Sequence, residues 1–212
     1  MTGGDEPLAR SAEVNVRSAQ KADVRQLSRV LARAFHDDPV MTWMLPRAES
    51  RTRALPVMFT TMTRRHFFAG GGAEVAQRDG VLGGSTLWDP PGRWRGSRFE
   101  ELLMLPALFW AFRGRSAVAQ HVQELLHKAH PTEPHWYLAF IGSDPTVRGA
   151  GFGQALMRSR LDRCDADGVP AYLENSNPIN ESYYMRFGFE VSGEIKLPGG
   201  CPPIVPMWRS PR

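Results

Sequence analysis

The residues of this chain best suited to chemistry are Arg148-Gly149-Ala150-Gly151-Phe152-Gly153, with Gln154 after them. Glycine lets a backbone approach an anion closely, Arg148 brings charge, and a helix starting here would aim its first N–H groups at the same point. The apolar run at 136–141 reads as a buried strand. Strand, glycine loop and helix in that order can grip a diphosphate. Three other readings compete. A dinucleotide fingerprint would have Gly149 and Gly151 in place but Gln154 where its third glycine belongs, although Glu174 stands near where a ribose-binding acid would. A nucleoside-triphosphate loop needs Gly-Lys-Ser/Thr, which is absent. A plain tight turn would explain a single Gly-x-Gly, but Arg with three alternating glycines fits phosphate cradling better.

Around that loop the pattern alternates only partly between strand and helix. A first strand is expected at 13–17, then a helix from Val24 to Phe35 with Asp23 in its first turn, where it suits the helix dipole. His36-Asp37-Asp38-Pro39 should stop that helix, because the residue before proline avoids helical angles. A second helix is expected at 52–68, ended by three glycines. Strands at 73–78 and 81–88 flank Asp79-Gly80, a strong hairpin signal. Helices follow at 99–112, kinked or broken at Pro106, and at 116–129. After the strand and glycine loop come a helix at 151–167, a strand at 171–174, a short helix at 180–187, and strands at 190–197 and 204–208. The last of these could be an exposed terminal strand available for pairing, with Pro206 limiting it. The class is α/β with a mixed sheet.

The chain has 212 residues and 42% hydrophobic content, which fits one domain at 13–212 behind a polar tail at 1–12. No apolar run is long enough to span a bilayer, and no leader-like apolar region opens the chain, so the expectation is a cytoplasmic protein with no membrane partner. Two cysteines, Cys164 and Cys201, make no disulfide framework, and no Cys/His cluster has metal-ligand spacing. Net charge is +4, with the arginines scattered, which argues against a nucleic-acid partner and suits a small polyanion. Cys164 and the apolar stretch Phe99, Leu102, Leu103, Leu105, Phe109, Trp110 and Phe112 read mostly as core. His130 and His135 flank a proline-rich loop and read as structural.

Two motifs together resemble one family. Arg148-x-x-Gly151-x-Gly153 is similar to the R/Q-x-x-G-x-G/A signature of the GNAT superfamily of acetyl-CoA-dependent N-acetyltransferases. Asn180-x-x-Tyr183-Tyr184-x-x-x-Gly188-Phe189 resembles that family's late N…(F/Y)-Y-x-x-x-G-F element, in the right order and spacing. Within the family, 133–139, 168–174 and 184–189 are most similar to puromycin N-acetyltransferases. The resemblance covers the C-terminal third well and the middle of the chain hardly at all.

The resemblance implies a mostly antiparallel sheet of six to seven strands flanked by helices, with one splayed strand pair that receives acetyl-CoA. Backbone groups of Phe140, Ile141 and Gly142 would meet the pantetheine arm, and the amides of Arg148, Gly149, Ala150, Gly151, Phe152, Gly153 and Gln154 the pyrophosphate. Asn180 would touch the arm. Tyr184 would protonate the leaving thiolate, and Glu174 is the first candidate for the base that takes the amine's proton. Asp37 and Asp38 are alternatives for that base, or could bind a cationic acceptor instead, and Trp43 and Trp88 are further candidates for the acceptor side. The implied activity is acetyl transfer to the primary amine of a small molecule, an antibiotic or drug-like amine among the candidates, by a monomer or homodimer. The alternatives are a protein lysine or N-terminal acetyltransferase and a non-catalytic acyl-CoA sensor.

Overall fold

The computed structural model describes residues 13–212, so the tail expected at 1–12 lies outside the described residues. Seven strands form one sheet: β1 (Asn15–Ser18), β2 (Ala73–Arg78), β3 (Val81–Asp89), β4 (Trp136–Ser143), β5 (Ala171–Asn175), β6 (Glu190–Val191) and β7 (Val205–Arg209). Their order is β1-β2-β3-β4-β5-β7-β6. Every neighbouring pair is antiparallel except β4–β5, which is parallel. The helices are α1 (Val24–Ala34), α2 (Pro39–Met44), α3 (Ala48–Met62), α4 (Arg98–Ala111), α5 (Ser116–Ala129), α6 (Phe152–Ala166) and α7 (Glu181–Arg186). Among the described residues no helix is long and apolar enough to cross a membrane.

The sheet is covered on both faces. On one, Leu27 and Leu31 of α1 and Leu55 and Phe59 of α3 pack with Phe67 onto Val75 and Leu87. On the other, Met157, Leu161 and Cys164 of α6 pack with Tyr184 and Phe189 onto Trp88, Leu138, Leu173 and Met207. Two glycine sites set how closely the helices lie. A Cβ at Gly142 would come within 2.6 Å of the Ala34 Cβ, and one at Gly83 within 2.6 Å of the Phe152 ring. Only a bare backbone lets α1 and α6 close on β4 and β3 there. A fully buried Glu74 of β2 pairs with Arg160 (3.0 Å) and Arg163 (3.5 Å) of α6.

Several expectations change. The hairpin forms as read, with positive φ at Asp79 and Gly80. Asp38-Pro39 starts a helix as well as ending one: the Asp38 carboxylate accepts from the Val40 and Met41 amides, and Pro39 occupies the first turn. The second helix begins earlier, at Ala48, and ends in a wider π turn, Thr63–Phe67. Proline does not break α4. Leu102, whose carbonyl Pro106 cannot pair, is exposed, so water can satisfy that oxygen. The apolar stretch on α4 is not core: Phe99, Leu102, Leu105 and Phe109 are all more than half exposed, and only Ala111 and Phe112 at its end are buried. The strand expected at 190–197 shrinks to Glu190–Val191, the last shifts by one residue to Val205–Arg209, and β7 is no free edge, since β5 and β6 flank it.

Candidate active site

The parallel ladder between β4 and β5 is brief. It pairs Trp136 with Ala171, Tyr137 with Tyr172 and Leu138 with Leu173, then stops, although both strands continue. The cause lies on the other side of β4. The register against β3 slips between Leu87 and Trp88, which leaves Ala139 as an extra, bulged residue. From Ala139 onward the edge of β4 that faces β5 is unpaired. Phe140, Ile141 and Gly142 stand on that stretch, with their other edge held by β3. The Phe140 ring itself is core, edge-on to Phe35 and Phe59.

Past the gap the chain turns through the glycine loop. Asp144 anchors its stem by accepting from Thr146 N (3.1 Å), Thr146 Oγ1 (2.8 Å) and Arg33 Nε (2.7 Å). Gly149 (φ 83°) and Gly151 (φ 88°) take left-handed angles, and Gly151 is the N-cap of α6. Of the amides expected to grip phosphate, two serve the turn itself: Arg148 N donates to Pro145 O and Ala150 N to Val147 O. Those of Gly149, Gly151, Phe152, Gly153 and Gln154 have no backbone acceptor in the loop, the first helical bond being Ala155 N to Gly151 O. Five free donors within six residues, beside an exposed Arg148, fit a diphosphate. The Phe152 side chain is buried, so only its amide can serve. Arg78, which the sequence reading passed over, braces the loop by donating to Ala150 O (2.8 Å) with its guanidinium over the Phe152 ring.

On the α6 face, Tyr184 is almost fully buried among Leu173, Met207 and Phe189. Burial, with smaller contributions from Tyr183 and Asp38, raises its pKa and keeps the phenol protonated. Tyr183 proves to be more than core. Its hydroxyl is buried without a partner and lies 3.0 Å from where a Cβ on Gly153 would sit, at the first turn of α6. Asn175 Nδ2, at the end of β5, is also buried and unpartnered. Asn180 is exposed at the start of α7 and makes no cap bond with its side chain, Asn177 capping the preceding turn instead. The Tyr183 hydroxyl and Asn175 Nδ2 are therefore free polar groups on the α6 side of the sheet.

Glu174 lies on the opposite face of β5, because successive strand residues alternate sides. It follows directly on Leu173, the last paired residue, at the mouth of the gap. Its carboxylate is only 4% exposed and lies 3.5 Å from His130 Nδ1. It accepts from Tyr137 (2.8 Å) and Tyr172 (3.2 Å). Trp94 stacks on His130, and His135 lies behind it. Of the two histidines read as structural, His130 thus meets the candidate base and His135 backs His130. Nearby, His66 bridges Asp89 (2.8 Å) and Glu100 (3.3 Å), so each ring nitrogen faces a carboxyl group. Burial alone would lower the His66 pKa, but the two acids outweigh it and raise it.

The acceptor candidates separate. Asp37 is 85% exposed and pairs with His36 on the surface. Asp38 is buried with its carboxylate occupied by the α2 amides and by Ser176 Oγ (2.6 Å), so it holds α2 to the end of β5 rather than a cation. Trp43 donates to Gly199 O (3.1 Å) and carries Arg115 on its ring, pinning the 198–201 loop. Trp88 is removed from the acceptor side: it is 0% exposed and packed under α6. Both faces of a central strand are covered, so alternation could not tell its two sides apart. Cys164 is buried, and burial pushes its thiol up to about 11, which makes it a poor nucleophile.

A family model described as the acetyltransferase (GNAT) family matches residues 115–189, from α5 to the end of the Gly-Phe motif. An uncharacterized N-acetyltransferase of Schizosaccharomyces pombe is 25% identical over 189 residues, covering 82% of this chain and 74% of that protein. A Corynebacterium glutamicum structure, described as histone acetyltransferase HPA2 and related acetyltransferase, superposes with a TM-score of 0.73 at 26% identity, covering 94% of this chain and 97% of that one. An N-acetyltransferase from Staphylococcus aureus shares the fold at a TM-score of 0.64 and 16% identity, over 92% and 99% of the two chains. With the seven-stranded sheet, the interrupted β4–β5 ladder and the glycine loop, these matches support an N-acetyltransferase of the GNAT superfamily.

Proposed function

We propose that this acetyltransferase uses acetyl-CoA to acetylate the primary amine of a small molecule, by direct attack within a ternary complex. One observation carries the reading. A β4–β5 gap opens directly beside five free loop amides, with a protonated phenol on one face of β5 and a carboxylate on the other. When bound there, acetyl-CoA supplies the activated thioester. The amides of Gly149, Gly151, Phe152, Gly153 and Gln154, with Arg148, would hold its diphosphate. Tyr183, Asn175 and Asn180 would offer polar contacts along its arm.

The two ionisable faces divide the proton chemistry. Glu174 receives a proton from the acceptor's ammonium, which frees the nitrogen lone pair for attack. Tyr184 supplies a proton to the departing sulfur. The backbone of the bulged segment at Ala139 and Phe140 would offer an N–H to the developing oxyanion. The surroundings of Glu174 favour a small aromatic amine over a peptide: Trp94, Tyr137, Tyr172 and His130 crowd the carboxylate. The likeness at 133–139 and 168–174 makes puromycin the first amine to try.

The test is thiol release from acetyl-CoA with a panel of puromycin, small hydrazides, polyamines and lysine peptides. Turnover with a small aromatic amine is the expected result. Turnover with peptides alone would replace this reading by a protein acetyltransferase. Tight coenzyme A binding with no turnover on any amine would replace it by a sensor.

A further inference from the structure

The proton positions around Glu174 can be worked outward from the protein surface. His135 Nδ1 lies 2.6 Å from the Glu133 carbonyl. A carbonyl only accepts, so this nitrogen carries a proton. His135 is 3% exposed and has no carboxylate against its ring, so a charge on it would be costly. Burial, the dominant influence on it, pulls its pKa below the ordinary histidine value. His135 is therefore neutral, and its Nε2 is a bare lone pair. That lone pair lies 3.0 Å from His130 Nε2, so His130 Nε2–H must donate to it. The remaining nitrogen, His130 Nδ1, faces Glu174 Oε1 at 3.5 Å.

This arrangement has room for one proton and no more. With none, a lone pair faces an ionised oxygen and the two repel. With one, placed on Nδ1, an imidazolium faces a carboxylate. The phenols of Tyr137 and Tyr172 already donate to Glu174 and fix its carboxylate in place. The Trp94 ring stacks on His130 with centroids 3.7 Å apart and holds its plane.

We propose that Glu174 and His130 act as one proton-accepting unit, in which Glu174 meets the acceptor's ammonium and His130 Nδ1 holds the proton. This rests on the acetyl-transfer reading above. The ammonium loses one proton and keeps the nitrogen lone pair for attack. The proton ends on Nδ1, and the unit's charge rises from −1 to zero. His130 acts through Glu174 and does not touch the substrate. An imidazole is intrinsically about two pH units more basic than a carboxylate, which is worth about 100-fold in the proton's affinity for the unit. The groups that face His130 are Glu174 and Tyr172 on β5, Tyr137 on β4, His135 ahead of β4, His127 at the end of α5 and, through space, Asp89 at the end of β3.

The experiment compares the pH profile of kcat/KM for wild type, His130→Asn and His135→Gln, with acetyl-CoA affinity as the check on folding. His130→Asn should cut kcat/KM about 100-fold near pH 7 and move the acidic limb down toward the carboxylate range, with acetyl-CoA affinity unchanged. His135→Gln keeps an acceptor for His130 Nε2–H and should stay within about threefold of wild type. If the acidic limb of His130→Asn stays where wild type has it, the proposal is overturned. Imidazole nitrogen NMR of the wild-type protein tests the same point without turnover. His135 should be the Nδ1–H tautomer, and neutral His130 should be the Nε2–H tautomer. A neutral His130 already protonated at Nδ1 would overturn the proposal whether or not the asparagine variant folds. If wild type acetylates no amine, the functional reading fails by itself, and the NMR result still decides the tautomers.

Discussion

Alanine at Gly149 or Gly151 separates a phosphate cradle from a plain turn. Both glycines sit at φ above 80°. There an L-residue costs roughly 1–2 kcal/mol. A Cβ built at either meets no protein atom within 4 Å, so steric conflict inside the protein adds nothing. In a chain of this size that cost lowers Tm by about 2–8 °C. If the turn were the glycines' only role, the strain would be the same with and without ligand, and acetyl-CoA affinity would not change. In a cradle, the open side onto which the new methyl projects is the side where the anion lies. Displacing the anion from one charged hydrogen bond costs about 1.5–3 kcal/mol, or roughly 10- to 150-fold in Kd. Gly153 is the control. Its angle is helical, and a Cβ there meets the Tyr183 hydroxyl at 3.0 Å and, in ordinary contact, Ser143 Oγ at 3.7 Å. Alanine there should cost several-fold less in affinity. The assay is calorimetric titration of acetyl-CoA beside thermal melts of the three variants. Affinity within twofold of wild type for Gly149→Ala and Gly151→Ala, with Tm lowered, would refute the cradle.

Three further outcomes are expected. Tyr184→Phe should lower kcat by about 100- to 10,000-fold with acetyl-CoA affinity intact, the range typical of a lost proton donor; an unchanged kcat in steady-state thiol release removes it as the acid. Glu74→Gln leaves Arg160 buried beside a neutral partner and should cost about 3–5 kcal/mol, whereas Glu74→Leu with Arg160→Met should be near neutral or stabilising, both read from denaturant melts. His66 has a folded-state pKa raised above its unfolded value, so the stability it contributes is fully present below about pH 6.5 and is lost as pH rises through the folded value. Hydrogen exchange at the start of α4 should therefore quicken with pH beyond the intrinsic dependence, and His66→Asn should abolish that excess.

What the sequence disclosed was chemistry carried by neighbours in the chain. The glycine loop, the Asp79-Gly80 turn and the exact span of α5 follow from residues within a few positions of one another. Asp38-Pro39 is legible too, as an N-cap followed by a first-turn proline, although the residues before it suggest only a helix stop and an acceptor-side acid. Exposure was not legible. Apolar composition shows that α4 seeks a partner, but not that α3 takes one side of it and leaves Phe99, Leu102, Leu105 and Phe109 in solvent. The contacts of Glu174 were hidden for the same reason. Tyr137 lies 37 positions away in sequence, and only the parallel β4–β5 register brings it alongside.

That register is also why the gap and its proton chemistry occur together. A parallel pair cannot be joined by a tight turn, so the crossover between β4 and β5 has to contain a helix, and that helix is α6. Its N-terminus must start where β4 ends, which puts the free amides at the open end of the gap. The bulge at Ala139 ends the ladder after three pairs, so Glu174 becomes the first residue of β5 whose neighbouring edge is not taken by β4. Lengthening the ladder by even one pair would close the gap over that residue. Deleting Ala139 should therefore restore the register against β3, extend β4–β5 pairing and abolish acetyl-CoA binding while leaving the loop amides intact. A deletion variant that folds and still binds acetyl-CoA would show that the bulge does not hold the gap open.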